Sequence, residues 1–127
     1  MSLDRFDDLE LRALPGGALL YVAAGRRARA RGLAGLAGLA ADRALLLAPC
    51  RSVHTFGMRF ALDLLWLDAA GDVVRLDACV PPRCLRSCRR ARAVIEASAG
   101  CGERFAAAIR PATSLGATFS TIPAADA

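Results

Sequence analysis

His54 is the only histidine in the 127-residue chain, so acid–base chemistry near neutral pH would most simply use it, an unperturbed imidazole titrating at about pH 6.5. Cys50 lies four residues earlier, and a thiol beside an imidazole is the outline of a nucleophile and its base. That chemistry also needs an orienting group and an oxyanion site, and neither has a signature here. The third residue of interest is Asp63, set among Phe60, Leu62, Leu64 and Leu65. A carboxylate in such surroundings is costly to bury unless it is paired or hydrogen-bonded. Pairing with Arg59 or His54 would make it a loop anchor, whereas an accessible Asp63 would serve a ligand or a reaction. Cys50, His54 and Asp63 together are a ligand mixture that zinc accepts, yet no two cysteines show the Cys-x2-Cys spacing of strong zinc motifs.

The remaining cysteines are Cys79, Cys84, Cys88 and Cys101. Cys84 and Cys88 would share a face if Pro82 starts a helical turn, with Arg83, Arg86, Arg89 and Arg90 nearby to favour thiolates. Adding Cys79 gives intervening runs of four and three residues, which match neither iron–sulfur pattern. No metal and no cofactor is therefore expected. An odd count of five cysteines in a chain large enough to fold without staples points to reduced thiols and the cytoplasm. The opening residues show no charged start followed by an apolar core and a cleavage site, which agrees with that expectation.

Those side chains need a scaffold, and 55% hydrophobic residues supply one domain's core, although 28 of the residues are Ala and bury little area each. Seventeen Arg against twelve acidic residues leave a net charge of +5. Arg26, Arg27, Arg29 and Arg31, with the Arg83–Arg92 group, could form a phosphate-binding face, but no aromatics interleave them, which argues against nucleic acid. No uncharged stretch approaches the roughly 20 residues that span a bilayer, so no membrane is expected. Short apolar runs bounded by breakers predict strands at Leu19–Ala24, Ala44–Ala48 and Ala93–Ala97. Two apolar runs, Leu62–Asp68 and Asp72–Ala78, joined through Gly71, have the hairpin signature. Composition favours a short helix within 26–41, weakened by Gly32, Gly35 and Gly38, and a second over Glu103–Arg110. Pro49–Arg59 reads as a loop and 111–127 as a loosely held tail. The expected fold is one α+β domain over 1–127: five to seven mostly antiparallel strands in a curved or barrel-like sheet, with two short peripheral helices.

Pro49–Asp68 reads Pro-Cys-Arg-Ser-Val-His-Thr-Phe-Gly-Met-Arg-Phe-Ala-Leu-Asp-Leu-Leu-Trp-Leu-Asp. This resembles the core signature of the uncharacterised prokaryotic family known as domain of unknown function 192. The resemblance extends to Arg31-Gly32-Leu33, Gly71-Asp72-Val73-Val74, Ala93-Val94-Ile95-Glu96 and Ala99-Gly100. Ala61 stands where the family usually has Pro, and the stretch after Arg110 lacks the usual Gly-Asp close. The resemblance implies a small α and β domain built on a curved antiparallel sheet, with no established activity attached.

These observations favour a non-catalytic ligand-binding or accessory module whose functional loop comprises Cys50, Ser52, His54, Thr55, Met58, Arg59 and Asp63, with a small molecule or a protein as partner. The competing reading is a small enzyme or metal-binding protein using Cys50, His54 and Asp63.

Overall fold

A computed structural model describes residues 9–25 and 32–109. Its centre is strand β5, Leu62–Leu67, which is buried along its whole length. A strand covered on both faces reads as a continuous apolar run, and Leu-Asp-Leu-Leu-Trp-Leu is such a run except at Asp63. On one side β5 pairs antiparallel with β6, Val73–Val80. The connection turns at Gly71, whose φ of 88° is a left-handed value that glycine adopts without steric cost. The hairpin expected from the sequence is therefore present.

On its other side β5 pairs antiparallel with β8, Ala93–Ser98, and β8 with β3, Arg43–Leu47. Next come β2, Leu19–Ala23, parallel to β3, and β1, Glu10–Ala13, antiparallel to β2. The sheet is thus six-stranded, mixed and open, in the order β1-β2-β3-β8-β5-β6. One expectation is corrected here. The sheet does not close into a barrel, because β1 and β6 end it without pairing to each other. Its pairing is mostly antiparallel, as expected, with one parallel pair: β2 and β3 are joined by a connection of more than a dozen residues, long enough for a parallel crossover.

Two short strands form a separate ribbon, β4 (Ser52–His54) with β7 (Leu85–Ser87). The stretch expected to be all loop therefore contains a strand, and the condition for Cys84 and Cys88 to share a helical face is not met, since strand β7 and its flanks occupy that stretch. Among the described residues there is one α-helix, α1, Gly102–Ile109. The second expected helix is corrected over 32–41, which is turn and irregular chain, with Gly35 at a φ of 84° that helix excludes. Its Arg26–Arg31 half and the expected tail lie outside the described residues. No helix among the described residues is long and apolar enough to cross a membrane.

Strand alternation sorts the core onto the two faces of the sheet. Leu45, Leu47, Leu62, Leu64, Trp66 and Val94 face one way, under Leu33, Val53 and Met58. Leu46, Leu65, Leu67, Ile95 and Ala97 face the other and are covered by α1 through Phe105, Ala106 and Ile109. Those three helical positions lie on one stripe, which is why so short a helix docks.

Candidate functional site

Of the seven residues singled out in the sequence, four border one cavity and three do not. The cavity, of about 140 Å³, lies on the Trp66 face between the sheet and the β4 segment. Cys50, Ser52, His54 and Met58 line it together with Leu33, Ala34, Leu47, Val53, Phe56 and Glu96. Val53, buried in the middle of β4, and Met58 belong to the core of that face, so the core itself holds the wall in place. Ser52 and His54, flanking Val53 on an exposed ribbon, form the outer rim, and the His54 ring lies 5.7 Å from that of Phe56. The Cys50 thiol donates to the Ser52 carbonyl at 3.3 Å. No cysteine is disulfide-bonded.

Thr55 is buried and holds this wall in a way the sequence did not indicate. Its hydroxyl donates to the Pro81 carbonyl at 2.7 Å and accepts the Cys84 N–H at 2.8 Å. The hydroxyl therefore bonds the β6–β7 connection rather than its own loop. Arg59 is exposed.

Asp63 is buried, 3% exposed, as its apolar setting predicts, but its partners are not those expected. Instead of Arg59 or His54 it accepts three backbone N–H groups: Cys79 at 2.9 Å, Gly100 at 3.0 Å and Gly102 at 2.7 Å. A register shift between Leu62 and Leu64 leaves Ala78 and Cys79 opposite Asp63, a β-bulge. Cys79 takes a left-handed φ of 53° there, and its N–H meets the carboxylate. Gly102 opens α1, so Asp63 also caps a helix N-terminus, where unpaired N–H groups and the helix dipole both favour a carboxylate. The approach is close: a Cβ on Gly102 would lie 2.8 Å from Asp63 Oδ2. Asp63 therefore sits on the α1 face, not on the cavity face, and the set of Cys50, His54 and Asp63 is not brought together. No group of three or more His, Cys, Asp and Glu among the described residues is arranged to hold a metal ion.

Sequence reasoning missed Glu96. It lies at the middle of β8, with Leu45 of β3 and Leu64 of β5 as its register partners. Alternation points it to the same face as Val94, into the cavity. It is 4% exposed, and its buried Oε1 has no hydrogen-bond partner among the described residues. Burial pushes its carboxyl up to about 7, because removal from water penalises the charged form. The signal was present in the sequence as the lone acidic residue of Ala-Val-Ile-Glu-Ala, the same feature that drew attention to Asp63.

A family model described as an uncharacterized ACR, DUF192, matches residues 17–110, more than half of the chain. Two solved structures resemble it in fold. A proposed transcription regulator from Sinorhizobium meliloti 1021 is 18% identical with a TM-score of 0.63, over 75% of this chain and 82% of that one. A protein of unknown function from Novosphingobium aromaticivorans DSM 12444 is 14% identical with a TM-score of 0.62, over 82% of this chain and 91% of that one. No curated protein matches the sequence.

Proposed function

This chain belongs to the DUF192 family, and we propose that it is a non-catalytic ligand-binding module whose site is the cavity between β4 and the central sheet. The observation that carries this reading is Glu96: a carboxyl 4% exposed, on an apolar floor, with a buried oxygen lacking any hydrogen-bond partner. Buried polar atoms are nearly always satisfied, so an unsatisfied one calls for a physical reason, and a donor supplied from outside the chain is one. The walls support the same reading, since a largely apolar lining with a few polar groups, here Glu96 with Ser52 and His54 at the rim, is what small-molecule sites share.

The enzyme alternative keeps Cys50 and His54 on one cavity but loses Asp63 to the opposite face. A thiol nucleophile and a base without an orienting partner make a weaker case than a binding site. Cys50→Ser, which removes the nucleophile and keeps a small polar side chain, is expected to retain ligand binding. The direct test is a fragment screen followed by NMR. Fragments that bind should shift the backbone amides of Leu47, Val53, Met58 and Glu96, and Ala34→Leu, which narrows the cavity, should abolish those shifts. Shifts scattered over the surface, or unaffected by Ala34→Leu, would contradict the proposal.

A further inference from the structure

The chemistry of the cavity narrows the class of ligand, on the premise that the cavity binds one. Among the described residues, Glu96 has apolar register partners in Leu45 and Leu64 and shares the cavity with Leu33, Leu47, Val53 and Met58, while Cys50, Ser52 and His54 are the polar side chains that border it. A neutral ligand hydroxyl would give it one ordinary hydrogen bond. An anion would set like charges together, which disfavours the ionised carboxyl. A protonated nitrogen brings opposite charge and several N–H donors at once, and charge-assisted hydrogen bonds of this kind are roughly twice as strong as neutral ones. Size sets the rest, since a cavity of about 140 Å³ is close to the roughly 150 Å³ that admits benzene.

We infer that the cavity takes a small organic cation, a protonated amine on a compact apolar body, with its nitrogen on the Glu96 carboxylate and its body against Leu33, Leu47, Val53 and Met58. Ligand and carboxylate then neutralise each other, and the unsatisfied oxygen gains its donor. Among the described residues the other titratable groups bordering the cavity are Cys50 and His54, so any pH effect must be traced to Glu96 by substitution.

The test titrates the full chain with three probes of equal chain length, n-butylamine, n-butanol and butyrate, following the amides of Leu47, Val53 and Glu96 by NMR. At about pH 8, n-butylamine should bind about tenfold or more tighter than the other two. At about pH 6 its affinity should fall about tenfold, because a carboxyl held up to about 7 takes up its proton over that interval. Glu96→Gln, which keeps the side-chain shape, should lose both the preference for the amine and the pH effect, while still admitting n-butanol. Equal binding of n-butanol or butyrate, an amine affinity independent of pH, or one unchanged in Glu96→Gln would overturn the cation and leave the binding reading standing. If no probe moves these amides, both fall.

Discussion

Asp63 and Glu96 are buried carboxyls on adjacent central strands of one sheet, facing opposite sides. Asp63 meets three backbone N–H groups gathered from a β-bulge, a turn and a helix start. Glu96 meets leucines and a cavity. Hydrogen bonds to a charged group contribute about 1.5 to 3 kcal/mol each, whereas a buried polar group left unpaired costs about 1 to 3 kcal/mol or more. The fold therefore leans on the first carboxylate and carries the second at a cost. A burial cost that the protein's own donors offset marks an architectural residue; one left without an offset is what the proposed ligand site rests on.

The sharpest way to break this contrast is to remove each carboxyl in turn. Asp63→Leu leaves three N–H groups without their acceptor, that of Gly102 in a buried setting, and uncaps α1, so it should cost about 3 kcal/mol or more in denaturant unfolding. Asp63→Asn keeps an acceptor and should cost less. A protein that unfolds at the parent's denaturant concentration after Asp63→Leu would place Asp63 outside the architecture.

Glu96→Gln should act in the opposite direction. The folded protein holds the Glu96 proton up to about pH 7, against an ordinary carboxyl value of 4.5 in the unfolded chain. Between those values the folded state binds the extra proton, so stability is fullest below 4.5 and declines as pH rises through about 7, by up to about 3 kcal/mol in total. Glu96→Gln should lack this decline and be more stable than the parent at about pH 8. Parallel stability curves for the two proteins from pH 4 to pH 8 (about one point per unit) would contradict the account.

A smaller effect tests how tightly the Asp63 cradle is built. The Cβ of Gly102→Ala would meet Asp63 Oδ2 at 2.8 Å, Asp63 Cβ at 2.9 Å and Leu76 Cδ1 at 2.9 Å. Such overpacking should cost about 2 kcal/mol, offset in part by alanine's better helix propensity. The same substitution at Gly35, where a Cβ would meet nothing within 4 Å, should cost only what its left-handed φ of 84° imposes.

How much of this was legible in the sequence follows the range over which each signal acts. The β5–β6 hairpin, β8 and α1 were readable because apolar runs and their breakers are local. The burial of Asp63 was readable for the same reason, but its partners were not. They lie 16, 37 and 39 residues downstream, and a carboxylate satisfied by backbone N–H groups needs no particular side chain to advertise them. Strands β4 and β7 are only three residues long and support each other across a long separation, so each alone looks like loop. The parallel pairing of β2 with β3 depends on a crossover that turn chemistry near the strands does not encode. Of the candidate loop, Cys50, Ser52, His54 and Met58 border the cavity, while Thr55 pins the loop and Asp63 builds the other face. Glu96 escaped because its strand neighbours include the small residues Ala93 and Ala97, which signal burial less strongly than the leucines around Asp63.

The central claim is that Glu96 is a buried carboxyl left unpaired by its own protein. Its side-chain carboxyl carbon can be followed by carbon-detected NMR across a pH titration of the unliganded chain, with Glu96→Gln identifying the resonance. The account predicts a midpoint raised to about 7, well above the ordinary range for glutamate, which is about 4.3 in model peptides. A midpoint at the ordinary value would mean that Glu96 is solvated or paired, and the cavity would then have no unmet partner to offer a ligand.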